Sequence, residues 1–467
     1  MRIISCSVLF LFGVFLFVLC ACNPGNKVAS FEGKPGEVRL MILDPGHFHA
    51  DLLLKKHNER INQKIFVYGP EGVGLNQHLE RVQSFNTRSD DPTSWDMKVY
   101  NSTDFLEQML DSPGGNVVVL AGNNRKKTDY IYKSVASGLH VLADKPLAIN
   151  PENFELLKSA VELARKNNVM IYDMMTERFS ILNLIQREIV SNETLFGKLE
   201  VGTPEDPSVK LQSIHHFYKD VAGKPLIRPA WYYDVKQQGE GLVDVTTHLI
   251  DIVHWKCFPE IALDYHRDIS VITASHWPTS ISLEQFTKST QEEAFPDYLQ
   301  DAVKNDVLEV YANGEMLYKV KGVHVGLHVG WNYEAPAGTG DTHTSVIRGS
   351  RSSVEVVQDK STGYSPELYI HPVVTDVEFN KALNLLIEKW RRIYPEISLS
   401  KENGKIHVVV PQAYREAHEA HFAKVAERFF SYLVDGKMPD WEIPNMMAKY
   451  YITTTAFKIA NSVKTKE

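Results

Sequence analysis

Residues 239–251 read Gly239-Glu240-Gly241-Leu242-Val243-Asp244-Val245-Thr246-Thr247-His248-Leu249-Ile250-Asp251. This stretch begins as a glycine-rich turn and continues in an apolar pattern that predicts a helix. Asp244 and His248 are four residues apart, so on a helix they share one face. A carboxylate beside an imidazole orients the ring and stabilises its charged form, which suits the pair to proton transfer. A pair that only holds the helix to a sheet would have the same spacing.

A second stretch, residues 140–146, predicts a short apolar strand that ends in Asp144, Lys145 and Pro146. The following proline favours an extended backbone at Lys145. A lysine at the carboxyl end of a strand in an α/β sheet points into the crevice where ligands bind. We therefore expect Lys145, Asp244 and His248 to meet in one cleft.

The two stretches resemble the motifs of the Gfo/Idh/MocA oxidoreductases, which act mostly on sugars and polyols with NAD or NADP. Members carry Glu-Lys-Pro after the fifth strand of the nucleotide domain, where this chain has Asp144-Lys145-Pro146. They also carry a glycine-rich turn followed by Asp-x-x-x-His-x-x-Asp, matched here by Asp244, His248 and Asp251. The resemblance is strongest from about residue 38 to residue 259.

Between residues 38 and 172, short apolar strands alternate with helical patterns. The strand patterns cover residues 38–43, 65–68, 116–120, 141–143 and 169–172, and the helical patterns cover residues 49–56, 104–110, 126–137 and 151–166. Repeated βα units predict a doubly wound, Rossmann-type parallel sheet in an α/β protein. We expect a nucleotide domain at residues 38–175. The resemblance implies that residues 176–467 form an α+β domain with a large open mixed sheet, and helical patterns follow from residue 418 to residue 462.

The resemblance implies a nicotinamide cofactor, NAD or NADP. Because free NAD is scarce outside the cytoplasm, we expect a secreted protein to keep this cofactor bound between turnovers. The turn after the first strand keeps one glycine, Gly46, of the usual Gly-x-Gly-x-x-Gly pattern, with Asp44 at the first position. Glu71 follows the second strand, where a carboxylate of a dinucleotide-binding fold accepts hydrogen bonds from the ribose hydroxyl groups. A solvent-exposed acid in a loop would show the same sequence pattern. The candidate cofactor residues are Gly46, His47, Phe48, Glu71, Asn124, Asp144 and Lys145.

The reaction implied by the resemblance is oxidation or reduction of a sugar or glycoside hydroxyl, which we assign to carbon 3, with Lys145, Asp244 and His248 as catalytic residues. Transient oxidation followed by elimination of the aglycone is an alternative, and a non-catalytic sugar-binding protein is a third. The candidate substrate residues include aromatic rings, which stack on sugar faces. They are Arg178, Trp231 and Tyr232, although an arginine at this place also suits an interdomain salt bridge.

The N-terminus predicts secretion and lipidation. An apolar run follows Arg2 and ends at Leu19-Cys20-Ala21-Cys22, which resembles a bacterial lipobox. We expect residues 1–21 to be a signal peptide, Cys22 to carry a lipid anchor and residues 22–37 to be a tether, with the protein on the periplasmic face of a membrane. An uncleaved membrane anchor is the alternative. With Cys22 lipidated, Cys257 has no partner for a disulfide within the chain.

The charge and histidine content bear on other partners. The chain has 467 residues and a formal net charge of −8, which gives no reason to expect nucleic acid as a partner. His324 and His328 would share one face of a strand, and with His343 they suggest a metal. We predict no metal site, because no acid or cysteine accompanies them at a recognisable spacing. A homo-oligomer is expected, since the open sheet of the family often pairs face to face.

Overall fold

The computed structural model describes residues 31–221, 224–416 and 418–463. The predicted signal peptide, the lipidation site at Cys22 and most of the tether lie outside these residues. Among the described residues, no helix combines the length and the hydropathy that crossing a bilayer requires.

The N-terminal part is a six-stranded sheet. Its strands are β1 (Leu40–Leu43), β2 (Lys64–Tyr68), β3 (Asp96–Tyr100), β4 (Val117–Leu120), β5 (His140–Ala143) and β6 (Ile171–Asp173). Its helices are α1 (His49–Leu52), α2 (Val73–Thr87), α3 (Phe105–Asp111), α4 (Lys127–Ala136) and α5 (Pro151–Asn167). The strands are parallel and run in the order β3-β2-β1-β4-β5-β6. This order creates a crevice at the carboxyl ends of β1 and β4, where doubly wound sheets bind ligands.

The doubly wound sheet predicted from the sequence is confirmed, and two details differ. Helix α2 and strand β3 were not predicted. The helix predicted at residues 49–56 ends at Leu52. Beyond it the backbone N–H of Leu54 donates to the carbonyl oxygen of Asp51, and that of Lys55 donates to Leu52. These bonds span three residues instead of four, so the chain tightens and α1 is only one turn long.

The following part is built on a ten-stranded mixed sheet, which confirms the predicted second architecture. Its strands are β7 (Val209–Tyr218), β10 (Ile269–Ser282), β11 (Val303–Lys304), β12 (Val307–Val320), β13 (Val323–Glu334), β14 (Thr342–Arg348), β15 (Ser352–Val357), β16 (Glu367–Pro372), β17 (Ser398–Glu402) and β18 (Lys405–Val409), while β8 (Asp220–Val221) and β9 (Lys224–Pro225) form a separate pair. The helices are α6 (Ile181–Val190), α7 (Glu193–Phe196), α8 (Val235–Gln238), α9 (Thr246–Cys257), α10 (Leu283–Thr290), α11 (Val377–Ile393), α12 (His418–Asp435) and α13 (Glu442–Val463). Strands β7 and β13 pair in parallel, and the other pairings in this sheet are antiparallel.

The two C-terminal helices were predicted, and they return to the N-terminal sheet. Phe422 and Phe429 of α12 belong to the core on one face of that sheet. Met446 and Tyr450 of α13 belong to the core on its other face. Ile452, also on α13, packs in the core of the mixed sheet. The last helix therefore joins the two sheets through shared apolar burial.

Residues 239–245 form the turn that leads into α9. Gly239 has a φ of +99°, a value that favours glycine. A Cβ on Gly241 would lie 1.9 Å from the carbonyl oxygen of Ala312, so the turn touches the backbone of β12. Helix α9 begins at Thr246, and Asp244 lies in the turn before it. The helix predicted for this stretch is confirmed, but Asp244 is outside it.

Candidate active site

A cavity of about 550 Å³ lies between the two sheets, a volume typical of a site for one small ligand. Lys145, Asp244 and His248 all line it, so the structure brings together the three residues predicted to meet in one cleft. Their catalytic role stays a prediction. Other lining residues include His47, His49, Asn124, Asp144, Ser213, His215, Lys219, Arg228, Tyr232, Gln238, Trp331, Asp341 and His343.

Asp244 is paired with Lys145. The Nζ atom of Lys145 lies 2.5 Å from Oδ1 of Asp244, and Nε2 of Gln238 donates to Oδ2 at 3.1 Å. Burial alone would raise the pKa of Asp244, but the Lys145 ammonium and these hydrogen bonds hold that pKa below its ordinary value. The ion pair joins the end of β5 to the turn before α9. It fixes a cation and a carboxylate at the cavity beside the first turn of α9, which carries His248.

Two histidines of the first turn gather around the carboxylate of Asp144. The Nδ1 atom of His49 lies 2.9 Å from Oδ2 of Asp144, and Nδ1 of His47 lies 3.5 Å from the same oxygen. Burial opposes ionisation of Asp144, yet His49 and Lys127 hold its pKa far below the ordinary value. Burial also holds the pKa of His47 well below its ordinary value, so this ring is neutral near pH 7.

Lys127 lies beneath this cluster at the start of α4. Its Nζ atom donates to Oδ1 of Asn124 at 2.5 Å and to the carbonyl oxygen of Asp144 at 2.9 Å. Burial lowers the pKa of Lys127 to about 8. The Nδ2 atom of Asn124, a predicted cofactor residue, donates to the carbonyl oxygen of Gln238 at 2.7 Å. Asn124 thus holds the segment before Gly239 against the end of β4.

The mixed sheet supplies a polar network on another part of the cavity. Nδ1 of His215 lies 2.9 Å from Oδ2 of Asp341, and Ser213 Oγ contacts both His215 Nε2 at 2.6 Å and His343 Nδ1 at 2.9 Å. Lys219 forms an ion pair with the same Asp341 carboxylate. Burial lowers the pKa of His215 to about 4 despite its acidic neighbour. The cavity therefore has a second cluster of proton-carrying groups.

Aromatic rings lie beside this network. The His215 ring stacks on Trp331 with ring centroids 5.0 Å apart, and the Arg228 guanidinium lies 4.2 Å from the centroid of Tyr232. Tyr232, a predicted substrate residue, lines the cavity. Trp231, the second aromatic prediction, instead packs with its ring against Gly46.

Arg178 is not among the residues that line the cavity, although its neighbour Glu177 is. Its guanidinium donates to both carboxylate oxygens of Asp251, at 2.6 and 2.7 Å, and to Glu442 at 2.9 Å. Lys449, which is fully buried, contacts Asp251 at 3.1 Å and Asp173 at 2.6 Å. Arg178 therefore belongs to a buried network of ion pairs, and these contacts favour the structural alternative over a substrate-binding role.

The turn that would hold a dinucleotide diphosphate is closed. The backbone N–H groups of Gly46 and His47 both donate to the carbonyl oxygen of Ala121, at 3.2 and 3.1 Å. Such N–H groups, together with a helix N-terminus, are what normally bind the diphosphate. Here α1 is one turn long, Trp231 covers Gly46, and Gly74 packs against the same turn. In this conformation the turn residues do not fit a diphosphate.

The remaining cofactor predictions lie at the strand ends. Glu71 is exposed after β2, and its Oε1 accepts a hydrogen bond from Nδ2 of Asn101 at 3.2 Å. Phe48 and Lys145 line the cavity. Asp44 turns its carboxylate to the hydroxyl of Tyr130 at 2.9 Å, and burial raises the pKa of Asp44.

The fold and the cavity define a two-part α/β protein with a Rossmann-type sheet and a ligand site at its strand ends. Residues 71–174 match the family model described as "Oxidoreductase family, NAD-binding Rossmann fold", and residues 185–461 match "Putative oxidoreductase C terminal domain". The chain belongs to the Gfo/Idh/MocA family of oxidoreductases, and this membership supports a nicotinamide cofactor. The first match begins at Glu71, beyond the closed turn.

Solved structures show the same architecture. A crystal structure described as a putative oxidoreductase from Parabacteroides merdae is 47% identical, covers 93% of this chain and 100% of its own, and superposes with a TM-score of 0.91. A levoglucosan dehydrogenase in complex with NADH and levoglucosan is 13% identical, with coverage of 91% and 97% and a TM-score of 0.59. A 3-ketoreductase from Actinomadura kijaniata, in complex with NADP and TDP-benzene, is 12% identical, with coverage of 89% and 95% and a TM-score of 0.53. No curated protein matches the chain.

Sequence reasoning missed several cavity residues. Asp341 follows a stretch of glycines and turn residues that carries no motif, so nothing in the sequence marked it. No role was predicted for His215, and His343 appeared only in the histidine set that was rejected as a metal site. A list of histidines near predicted strand ends would have included His215, but its pairing with Asp341 depends on the packing of β7 beside β14.

Proposed function

We propose that this chain binds a sugar or glycoside in the cavity and that Lys145, Asp244 and His248 move the proton of its reacting group. The observation that carries the proposal is the meeting of these three residues at a cavity whose other side is polar and aromatic. Polar tips and ring faces together suit a sugar, which offers hydroxyl groups and apolar C–H faces. Tyr232 and Trp331 supply the aromatic rings, and His215 and Asp341 supply the polar side-chain groups.

The first candidate reaction is oxidation or reduction of a sugar hydroxyl, at carbon 3, with NAD or NADP. Family membership supports this class of reaction, and distant structural neighbours include a levoglucosan dehydrogenase and a 3-ketoreductase. His248 would take or return the hydroxyl proton, and Lys145 would stabilise the developing negative charge on oxygen. Asp244 would set the charge and the position of Lys145. The closed turn at Gly46 is the observation against a dinucleotide as the hydride acceptor.

A second candidate is NAD-dependent glycoside cleavage. Carbon 3 would be oxidised transiently, the aglycone eliminated across carbons 1 and 2, water added to the resulting double bond, and carbon 3 re-reduced by the hydride that the cofactor had accepted. A ketone acidifies the neighbouring C–H, so the elimination needs only a modest base, and the departing aglycone needs a proton. The network of His215 and Asp341 favours this candidate, because it gives the cavity a second group that can exchange protons. Non-catalytic sugar binding is the remaining alternative, and the closed turn is the observation in its favour.

Two measurements on the purified full-length protein separate these candidates. Mass spectrometry of the denatured protein tests for released NAD or NADP, and product analysis follows a panel of glycosides. A keto-sugar identifies the dehydrogenase, whereas a released aglycone identifies the eliminating glycosidase. If no cofactor is released, calorimetry with added NAD and NADP shows no heat and no glycoside is consumed, both enzymatic candidates are wrong.

We also propose that the chain is a lipoprotein on the periplasmic face of a membrane, anchored at Cys22. Cys22→Ala should move the protein to the soluble fraction or leave its signal peptide uncleaved. The matched control is Cys20→Ala, because Cys20 follows Leu19 and fits a lipobox poorly. Fractionation and intact mass measure both variants. An unchanged mass and unchanged membrane association for Cys22→Ala would contradict lipidation there. Self-association of the mixed sheet stays a further proposal.

A further inference from the structure

His47, His49 and Asp144 form a compact set of metal-ligand groups at the cavity. One coordinating atom from each lies within 4.8 Å of those of the other two. The two histidines come from the turn after β1, and the carboxylate comes from the end of β5, so the set is built from the carboxyl ends of the two strands that flank β4. All three residues line the cavity. The sequence analysis did not consider this set, in which Asp144 lies almost a hundred positions from the two histidines.

The spacing of these atoms is close to that of metal ligands. Transition metals bind histidine nitrogen and carboxylate oxygen at about 2.0–2.2 Å, which places neighbouring ligand atoms roughly 3 Å apart. The Nδ1 atoms of His49 and His47 lie 2.9 and 3.5 Å from Oδ2 of Asp144. The Nδ1 atom of His47 is buried and has no hydrogen-bond partner among the described residues. A buried nitrogen left in this state calls for a partner, and an ion between the three groups supplies one.

The backbone around the set is fixed by hydrogen bonds. The N–H groups of Gly46 and His47 are held by Ala121, as described above, and the N–H of Asp144 donates to Leu120 at 2.7 Å. Lys127 holds the carbonyl oxygen of Asp144. Outer contacts of this kind orient metal ligands before the ion arrives. The same bonds that close the turn to a diphosphate therefore hold two histidines in place.

We propose that His47, His49 and Asp144 bind one divalent first-row transition-metal ion. Two imidazoles and one carboxylate suit zinc, cobalt, manganese or iron. Three protein ligands leave at least one coordination position open, as in catalytic metal sites, and all three residues line the cavity. A water molecule or an oxygen atom of the ligand would take that position. This inference does not rest on the proposed sugar chemistry.

The test measures metal binding directly, without turnover. The full-length protein, carrying no histidine tag, is stripped with a chelator and titrated with Zn²⁺ by calorimetry and with Co²⁺ by visible absorption. We expect one ion per chain and Co²⁺ bands typical of nitrogen and oxygen ligands. His47→Ala, His49→Ala and Asp144→Asn should each weaken binding by at least about 10-fold, since even outer-shell changes cost 10–100-fold. The matched control, His343→Ala, removes a cavity histidine outside the set and should bind like wild type.

Two results would overturn the site. One is the absence of stoichiometric binding of either ion, and the other is unchanged affinity in His47→Ala and Asp144→Asn. If an alanine variant does not fold, His47→Gln or His49→Gln replaces it at the same position, with the fold checked by near-ultraviolet circular dichroism. Metal binding in a protein that consumes no glycoside would support this site while contradicting the proposed function. Glycoside turnover by a protein that binds no metal would support the proposed function and contradict this metal site.

Discussion

Lys145→Gln should lower turnover of the substrate by about 100- to 10,000-fold, the usual contribution of a general acid or base. The loss corresponds to roughly 3–5 kcal/mol of transition-state stabilisation at about 1.4 kcal/mol per decade. Glutamine keeps a hydrogen-bond donor for the buried carboxylate of Asp244 but cannot transfer a proton or carry charge. His248→Ala should produce a loss of the same order. Rates are measured on a glycoside that the wild-type protein consumes, with the melting temperature recorded for each variant.

Lys210→Gln is the matched control, because Lys210 forms an exposed pair with Asp206 outside the residues that line the cavity. Its turnover should equal that of wild type. If Lys145 and Asp244 only hold the two parts of the protein together, Lys145→Gln should lower the melting temperature. The folded fraction of that variant would keep the turnover rate of wild type. That outcome would contradict the catalytic assignment.

Arg178→Ala should lower the free energy of unfolding by about 3–5 kcal/mol, the cost of removing one partner from a buried ion pair. Arg178 is buried against Asp251 and Glu442, so its loss leaves two carboxylates without their main counter-ion. Lys449 remains and offsets part of the charge. Denaturant unfolding, monitored by fluorescence and circular dichroism, measures the difference.

The same network predicts how stability depends on pH. Burial would raise the pKa of Asp251, but Arg178 and Lys449 hold it far below the ordinary value of about 4. Because the folded-state pKa is lowered, this contribution is fully present above about pH 4 and is lost as the pH falls below that value. Arg178→Ala should therefore lose less stability than wild type on acidification from pH 5 to pH 3.

Arg267→Ala is the matched control for Arg178. Its guanidinium also makes two contacts to one carboxylate, that of Asp268, but Arg267 is exposed. The melting temperature of this variant should stay close to that of wild type, since solvent screens exposed pairs. Equal losses of stability in Arg178→Ala and Arg267→Ala would contradict the view that burial makes the Arg178 network contribute to stability.

The sequence predicted the N-terminal architecture because its central strands are short and wholly apolar. It missed α2 and β3 for the opposite reason. Helix α2 buries only Leu75, His78 and Val82 of its fifteen residues, and β3 is an edge strand with no buried residue. Weakly buried elements carry little hydrophobic periodicity, so their patterns do not separate them from loops.

The site was predicted in part. Motif spacing was enough to bring Lys145, Asp244 and His248 to one cavity. It was not enough to identify the ion pair of Asp244, which was expected to act with His248 and is held by Lys145. A partner of this kind depends on how the turn at Gly241 packs on β12 and on where β5 ends. The boundary between the two parts near residue 175 stays a prediction, and α13 crosses between their cores.

The most direct test of the account is a double-mutant cycle of Lys145→Gln and His248→Ala, with turnover measured on the same glycoside. Residues that serve one proton-transfer step act as a unit, so removing the second after the first costs little more. We expect the double variant to be about as slow as the slower single variant, with a folded structure and one unfolding transition. If the increase in activation free energy of the double variant equals the sum of the increases in the two single variants, the two residues act independently. That result would contradict a single active site built from Lys145, Asp244 and His248.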